Sequence, residues 1–195
     1  MAMSIFAWLA PLFKAASRRW SEDDFRLIAD HLKPFVPSGG LFADLGGGTG
    51  DLGAGVAPLL DARVIVIDPT PQMLRRVDPF PWVSTRLAHA EALPFPPAYF
   101  DAVLCSDSFH HFLDQHAALD EIHRVVRPGG GFVMLEPEAG PRVSRLVMSL
   151  EHLLGEPAGF LTPAGSEALL AAHGIVGVSH RQTKASYLFV GTVRR

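Results

Sequence analysis

Between residues 44 and 51 the chain reads Asp44-Leu45-Gly46-Gly47-Gly48-Thr49-Gly50-Asp51, an acid followed by four glycines in five positions. Missing Cβ atoms let a backbone turn sharply and let a bound molecule lie directly against it. If a helix begins there, its first N–H groups face that molecule. A second acid, Asp68, stands 24 residues after Asp44, at the end of the Val/Ile-rich run RVIVID. A carboxylate at that place accepts hydrogen bonds from both hydroxyls of a ribose. Turn glycines and a strand-end capping acid are the plain structural alternative. The two signals together, at the spacing of a nucleoside-binding βαβ unit, argue against it.

Two registers of the glycine loop are open. Gly48-x-Gly50-x-x-Gly53 matches the dinucleotide fingerprint and would suit an NAD-dependent oxidoreductase. It leaves Gly46 and Gly47 unused between strand and motif, and the chain offers no clear hydride-transfer constellation. The register Asp44-x-Gly46-x-Gly48-x-Gly50 starts at the strand end and uses every position.

A further group, Asp107, His110 and His111, comes after the apolar run DAVLCS. A loop histidine titrates near neutral pH and can take a proton from a substrate. Cys105 lies inside that apolar run and reads as core. His111, His116 and His123 are spaced five and seven apart, which does not put them on one helical face as metal ligands.

The elements that must position these residues are set by hydrophobic patterning. Strands are expected at Leu41–Leu45, Arg63–Asp68, Trp82–Leu87, Asp101–Ser106 and Gly131–Glu136. Their apolar runs are continuous rather than alternating, as in parallel strands covered on both faces. Val176–Arg181 and Ser186–Val193 read as two last strands, antiparallel across a short polar turn. Helices are expected over Glu22–Lys33, from Thr70-Pro71 through Val77, and from Asp114 with Leu119, Ile122, Val125 and Val126 in one stripe. Pro128-Gly129-Gly130 should end that last helix, and Gly165–His173 should form another. Asp51–Leu60 must be the first crossover helix, although Gly53, Gly55 and Pro58 give it poor propensity.

The chain has 195 residues, 48% of them apolar, a net charge of −3 and one cysteine. That suits a single folded domain with a sizeable core. No basic excess points to nucleic acid, and one cysteine excludes an internal disulfide or a multi-cysteine zinc site. The apolar stretch Ser4–Phe13 has its cations after it, at Lys14, Arg18 and Arg19, the wrong order for a secretory leader. It is expected to be a mature amphipathic segment in a cytoplasmic protein without a transmembrane span. Residues 1–35 would form a helical lid or substrate segment and residues 36–195 the core.

Four stretches resemble, in order, the class I S-adenosylmethionine (SAM)-dependent methyltransferases of the type 11 group. They are DLGGGTG, VIVIDPTPQML, AHAEALPFPPAYFDAVLCSDSFHHF and LDEIHRVVRPGGGFVMLEPE. The likeness is strongest to the branch of the ubiquinone/menaquinone C-methyltransferases. It implies a Rossmann-like, doubly wound, mostly parallel seven-stranded sheet with a C-terminal antiparallel pair. It also implies SAM as cofactor, S-adenosylhomocysteine as product and methyl transfer to a small molecule. Gly46, Gly48 and Gly50 would hold the methionine part, with Asp44 near its ammonium group. Asp68 would bind the ribose, Pro69 and Met73 would flank adenine or ribose, and His89, Ala90 and Glu91 would meet the adenine edge. Ser106 and Asp107 would lie near the methyl group. Phe13-Lys14 stands where the quinone enzymes have a Tyr-Asp pair, which sets quinone methylation apart from what the resemblance implies.

Methyl transfer from a sulfonium needs alignment and dryness more than acid catalysis. A base, from among His110, His111 and Asp107, is required only where the acceptor must lose a proton. The stretch Pro137–Pro163 holds Val143, Leu146, Val147, Met148, Leu150, Leu153 and Leu154, and with the apolar N-terminus it suggests a hydrophobic acceptor. A non-catalytic SAM-binding protein of the same fold is the alternative. Peripheral membrane contact and oligomeric state stay open.

Overall fold

The structure, a computed structural model, describes residues 20–138, 159–183 and 186–195. The apolar N-terminal segment, Phe13-Lys14 and the stretch from Val143 to Leu154 lie outside them.

Five parallel strands form first: β1 (Leu41–Leu45), β2 (Arg63–Asp68), β3 (Val83–Leu87), β4 (Phe100–Ser106) and β5 (Val126–Pro137). Two more, β6 (Ile175–Arg181) and β7 (Ser186–Val193), pair antiparallel, with β7 antiparallel to β5. The seven-stranded sheet runs β3-β2-β1-β4-β5-β7-β6. The chain therefore moves outward from β1 to β3 and then returns to lay β4 beside β1. That reversal leaves a crevice at the carboxyl ends of β1 and β4, where open α/β sheets bind their ligands. Register brings Asp44 of β1 level with Val66 of β2 and Leu104 of β4.

The central strands β1, β2, β4 and β5 are largely buried on both faces, which is why they read as continuous apolar runs, whereas β3 is exposed from Ser84 to Leu87. One core layer joins Ala43, Val103, Phe132 and Phe189 to Leu119 and Ile122. The other joins Phe42, Val64, Leu104 and Val133 to Ile28, Leu32 and Leu52. Helix α1 (Glu22–Leu32) opens with a reciprocal capping box. Ser21 Oγ accepts the Asp24 N–H at 3.2 Å, and Asp24 Oδ2 accepts the Ser21 N–H at 3.0 Å.

Helix α2 (Asp51–Val56) continues as a 3-10 turn over Ala57–Leu60. Its two glycines are explained by what lies against them. A Cβ at Gly55 would sit 2.6 Å from the Phe25 ring, so this glycine lets α1 pack directly on α2. A Cβ at Gly53 would sit 2.6 Å from an Asp44 carboxylate oxygen. Poor helix propensity is here the condition for two close contacts.

Several expected boundaries shift by one residue, with the first helix ending at Leu32 and strands starting at Val83, Phe100 and Ile175, and three change further. Helix α3 covers only Pro71–Leu74, and the Thr70 side chain makes no capping bond. The Thr70 N–H instead goes to Asp68 Oδ1 at 2.8 Å. Helix α4 (Gln115–Val125) is capped by Asp114 as expected, its Oδ1 accepting the Ala117 N–H at 3.1 Å, but Val126 leaves the helical stripe and starts β5. Strand β5 thus includes Pro128-Gly129-Gly130, because Val126 pairs with Phe100 across a bulge before regular pairing resumes at Gly131. Helix α5 (Pro163–Ala172) begins two residues before Gly165, capped by Thr162 Oγ1. No helix among the described residues is long and apolar enough to cross a membrane.

Candidate active site

At the end of β1 the backbone turns through Gly46 and Gly48, at φ +69° and +55°, and Gly50 at φ +74° starts α2. Only glycine adopts such angles without strain. The Gly46 and Gly47 N–H groups both donate to Ile67 O, at 2.8 and 3.2 Å, which ties the turn to β2. A Cβ added at Gly46 would meet Ser108 Cβ and Oγ at 2.5 Å. At Gly48 a Cβ would find nothing within 4 Å. The turn is therefore packed against the post-β4 loop at Gly46 and open at Gly48.

Three acids flank it. Asp44 is buried, and its Oδ2 accepts the Gly53 N–H at 3.1 Å. Burial pushes its carboxyl up to about 7, and the nearby Asp68 and Asp51 carboxylates add to that against the pull of the Gly53 N–H. Asp68, also buried, spreads its oxygens over Thr70 N and Gly48 N, the latter at 3.0 Å from Oδ2. Burial raises its carboxyl as well, while those N–H groups and His89 act in the other direction. Asp51 accepts the Thr49 hydroxyl at 2.6 Å and stays at the first position of α2.

The segment expected at an adenine edge has mixed exposure. Ala90 and Met73 are buried, whereas His89 and Pro69 are exposed. Glu91 Oε1 accepts the Asp114 N–H at 3.1 Å, linking this segment to the start of α4. Arg124 fixes the next residues of the segment, donating to Phe95 O and Leu93 O at 2.7 and 3.0 Å, while Glu121 accepts the Leu93 N–H at 2.7 Å.

At the end of β4, the Ser106 hydroxyl is buried with no hydrogen-bond partner among the described residues. Such an orphan is uncommon in a folded protein and marks a place where a ligand can supply the missing bond. Asp107 is exposed and held at φ +48°. Its N–H donates to Leu135 O at 2.9 Å. A non-glycine residue in that conformation is strained, and strain of this kind gathers at functional sites. Cys105 is buried with its thiol 3.1 Å from Ser108 Oγ, and burial pushes its pKa well up.

The three proposed proton acceptors separate. Asp107 faces outward, His111 is half-buried, and His110 is 5% exposed. His110 Nδ1 lies 2.5 Å from Glu136 Oε2. Glu136 Oε1 accepts the Ser108 and Phe109 N–H groups, both at 2.9 Å. Glu136 is a site residue that the sequence pattern did not single out. Its signal was present: a lone carboxylate closing the otherwise apolar run Phe132–Leu135. Phe160 stacks on the His110 ring at 4.3 Å and 18°, and His111 lies at 4.0 Å on the same ring.

Asp44, Gly46, Gly48, Gly50, Asp68, Ser106 and the His110 loop thus fall at the carboxyl ends of β1, β2 and β4 or just beyond them. These residues fit SAM. The open face at Gly48 accepts a backbone-hugging chain, Asp68 retains lone pairs for ribose hydroxyls, and the orphan Ser106 hydroxyl and buried Asp44 suit a polar, cationic group.

Comparison with known proteins agrees with this geometry. The methyltransferase-domain family profile matches residues 43–134. A ubiquinone/menaquinone biosynthesis C-methyltransferase UbiE of Coxiella burnetii is 34% identical over 134 residues, covering 64% of this chain and 52% of that protein. The chain spans about half the length of the curated relatives it matches. Among solved structures, the complex between the Haloferax volcanii Trm112 methyltransferase activator and a methyltransferase contains a chain similar at TM-score 0.80 and 17% identity, with both chains fully covered. Human N-acetylserotonin methyltransferase in complex with SAM is similar at TM-score 0.68 and 18% identity, over 89% of this chain and 54% of that one. The sheet order, the acid-flanked glycine turn and these matches agree: residues 43–134 form a methyltransferase domain, similar to the class I SAM-dependent methyltransferases and, among curated relatives, to the UbiE C-methyltransferases.

Proposed function

We propose that this protein transfers a methyl group from SAM to a small, hydrophobic acceptor by in-line displacement. The observation that carries the reading is the Asp68 carboxylate, buried at the end of β2 beside β1, with its Oδ2 3.0 Å from the Gly48 N of the open turn. One acid there can brace the turn and still grip a ribose. SAM supplies an electrophilic methyl on a sulfonium whose departure leaves a neutral thioether.

The residues of the chain do the rest. Gly46, Gly48 and Gly50 offer a surface without side chains for the methionine part. Asp44 supplies negative charge for its ammonium group, and Ser106 supplies a hydroxyl. Pro69, Met73, Ala90 and the His89–Glu91 backbone bound the adenine side. His110, His111 and Asp107 stand on the loop nearest the acceptor and provide the candidates for a base. Residues 1–35 act as a substrate-side segment ahead of the core.

Calorimetric titration with SAM and with S-adenosylhomocysteine tests the reading. Micromolar binding of both, weakened strongly in Asp68→Ala, is expected. No heat of binding at millimolar nucleoside would overturn it.

A further inference from the structure

We propose that Glu136 is a positioning residue that selects His110, rather than His111 or Asp107, as the base, and so restricts the acceptor to groups that lose a proton, a hydroxyl or an acidified C–H. The inference rests on the methyl-transfer reading. Its physical content is a division of labour within one carboxylate. Oε1 holds the backbone of Ser108 and Phe109, which fixes the loop, and Oε2 meets His110 Nδ1. An ionised carboxylate only accepts, so Nδ1 must carry the proton and Nε2 must present its lone pair.

The ring cannot turn away from this role easily. Phe160 stacks on it, the Gly159 N–H donates to His110 O at 2.8 Å, and Gln115 Nε2 bridges Phe109 O and Gly159 O. Two residues earlier, Ser108 packs against Gly46 of the turn expected to hold the methionine part. The loop that carries the ring is thus packed against that turn.

In the step, His110 Nε2 takes the acceptor's O–H or C–H proton. The electron pair left on the acceptor atom forms the bond to the methyl carbon, and the pair of the broken methyl–sulfur bond stays on sulfur. The imidazolium is met by Glu136 and later returns its proton to water. The other ionisable groups around this pair are His111 and Asp107 on the same loop, Cys105 on β4 and Tyr187 on β7, the last two within electrostatic reach of Glu136.

Long-range proton–nitrogen NMR of the 15N-histidine-labelled chain, saturated with S-adenosylhomocysteine, tests this; His110 is assigned by its loss in His110→Asn. The neutral ring should carry its hydrogen on Nδ1 and leave Nε2 bare. Glu136→Gln can keep both backbone contacts through its amide oxygen and turn its NH2 to Nδ1, so the hydrogen should move to Nε2. A neutral native ring with its hydrogen on Nε2 overturns the proposal. The native spectrum decides this even if Glu136→Gln does not fold. Failure of S-adenosylhomocysteine to bind would sink the methyl-transfer reading instead, a separate result seen by calorimetry.

Discussion

The Gly48 N–H donates to Asp68 Oδ2 at 3.0 Å, so the acid ending β2 and the turn leaving β1 form one hydrogen-bonded unit. Replacing the acid therefore affects two things. Asp68→Ala should weaken SAM binding by about 2–3 kcal/mol, roughly 30- to 150-fold, through lost charge-assisted hydrogen bonds. Asp68→Asn should fall between, since it keeps the shape and one acceptor oxygen. Calorimetry on both variants gives the ranking.

Gly53 presents a conflict between propensity and packing. In an exposed helix, Gly→Ala gains about 1 kcal/mol. Here the new methyl would lie 2.6 Å from Asp44 Oδ2 and 2.9 Å from its Cβ. Gly53→Ala should thus destabilise the fold by about 1–3 kcal/mol, as overpacking does. It should also weaken SAM binding by displacing Asp44. Urea unfolding and calorimetry measure the two effects.

The Asp44 carboxyl sits at about 7 in the folded chain against an ordinary 3.8. The folded state therefore holds more protons than the unfolded one between these values. Stability from this group is full below pH ~4 and is lost as pH rises through about 7. Asp44→Asn should flatten the stability profile over that window, measured by denaturant midpoints at fixed pH. A cation placed beside Asp44 favours its ionised form. SAM binding at pH 7 should then release up to about half a proton, read as a dependence of binding heat on buffer ionisation enthalpy.

Arg124 holds Leu93 and Phe95 by their carbonyls, and Glu121 holds the Leu93 N–H. Arg124→Met keeps the length of the stem and removes the donors. Hydrogen exchange over residues 89–96 should rise at least about tenfold, corresponding to about 1.4 kcal/mol of local stability. The central strands should stay protected. A uniform loss of protection would show that the segment does not open by itself.

Strands β1 and β2 were legible to the residue, because a continuous apolar run ended by glycine or by an acid is a local signal. The glycine turn and Asp68 were legible for the same reason. The start of β5 was not. Arg127-Pro128-Gly129-Gly130 has the composition of a helix stop, and only pairing with β4 makes it strand. The poor propensity of Asp51–Leu60 had a similar origin. Gly53 and Gly55 look like helix breakers until Asp44 and Phe25 are placed against them.

By itself, then, the sequence determined the alternation of strands and helices, the glycine turn after β1, and the acid that ends β2. Each depends on neighbours within one element, where side-chain size and backbone freedom act over a few residues. The tertiary structure alone decided that Glu136 closes on Ser108, Phe109 and His110, 26 to 28 residues away in sequence. It also decided that His110 is buried while Asp107 faces outward. Those outcomes depend on the register between β4 and β5 and on what packs over their carboxyl ends, and no local pattern encodes either.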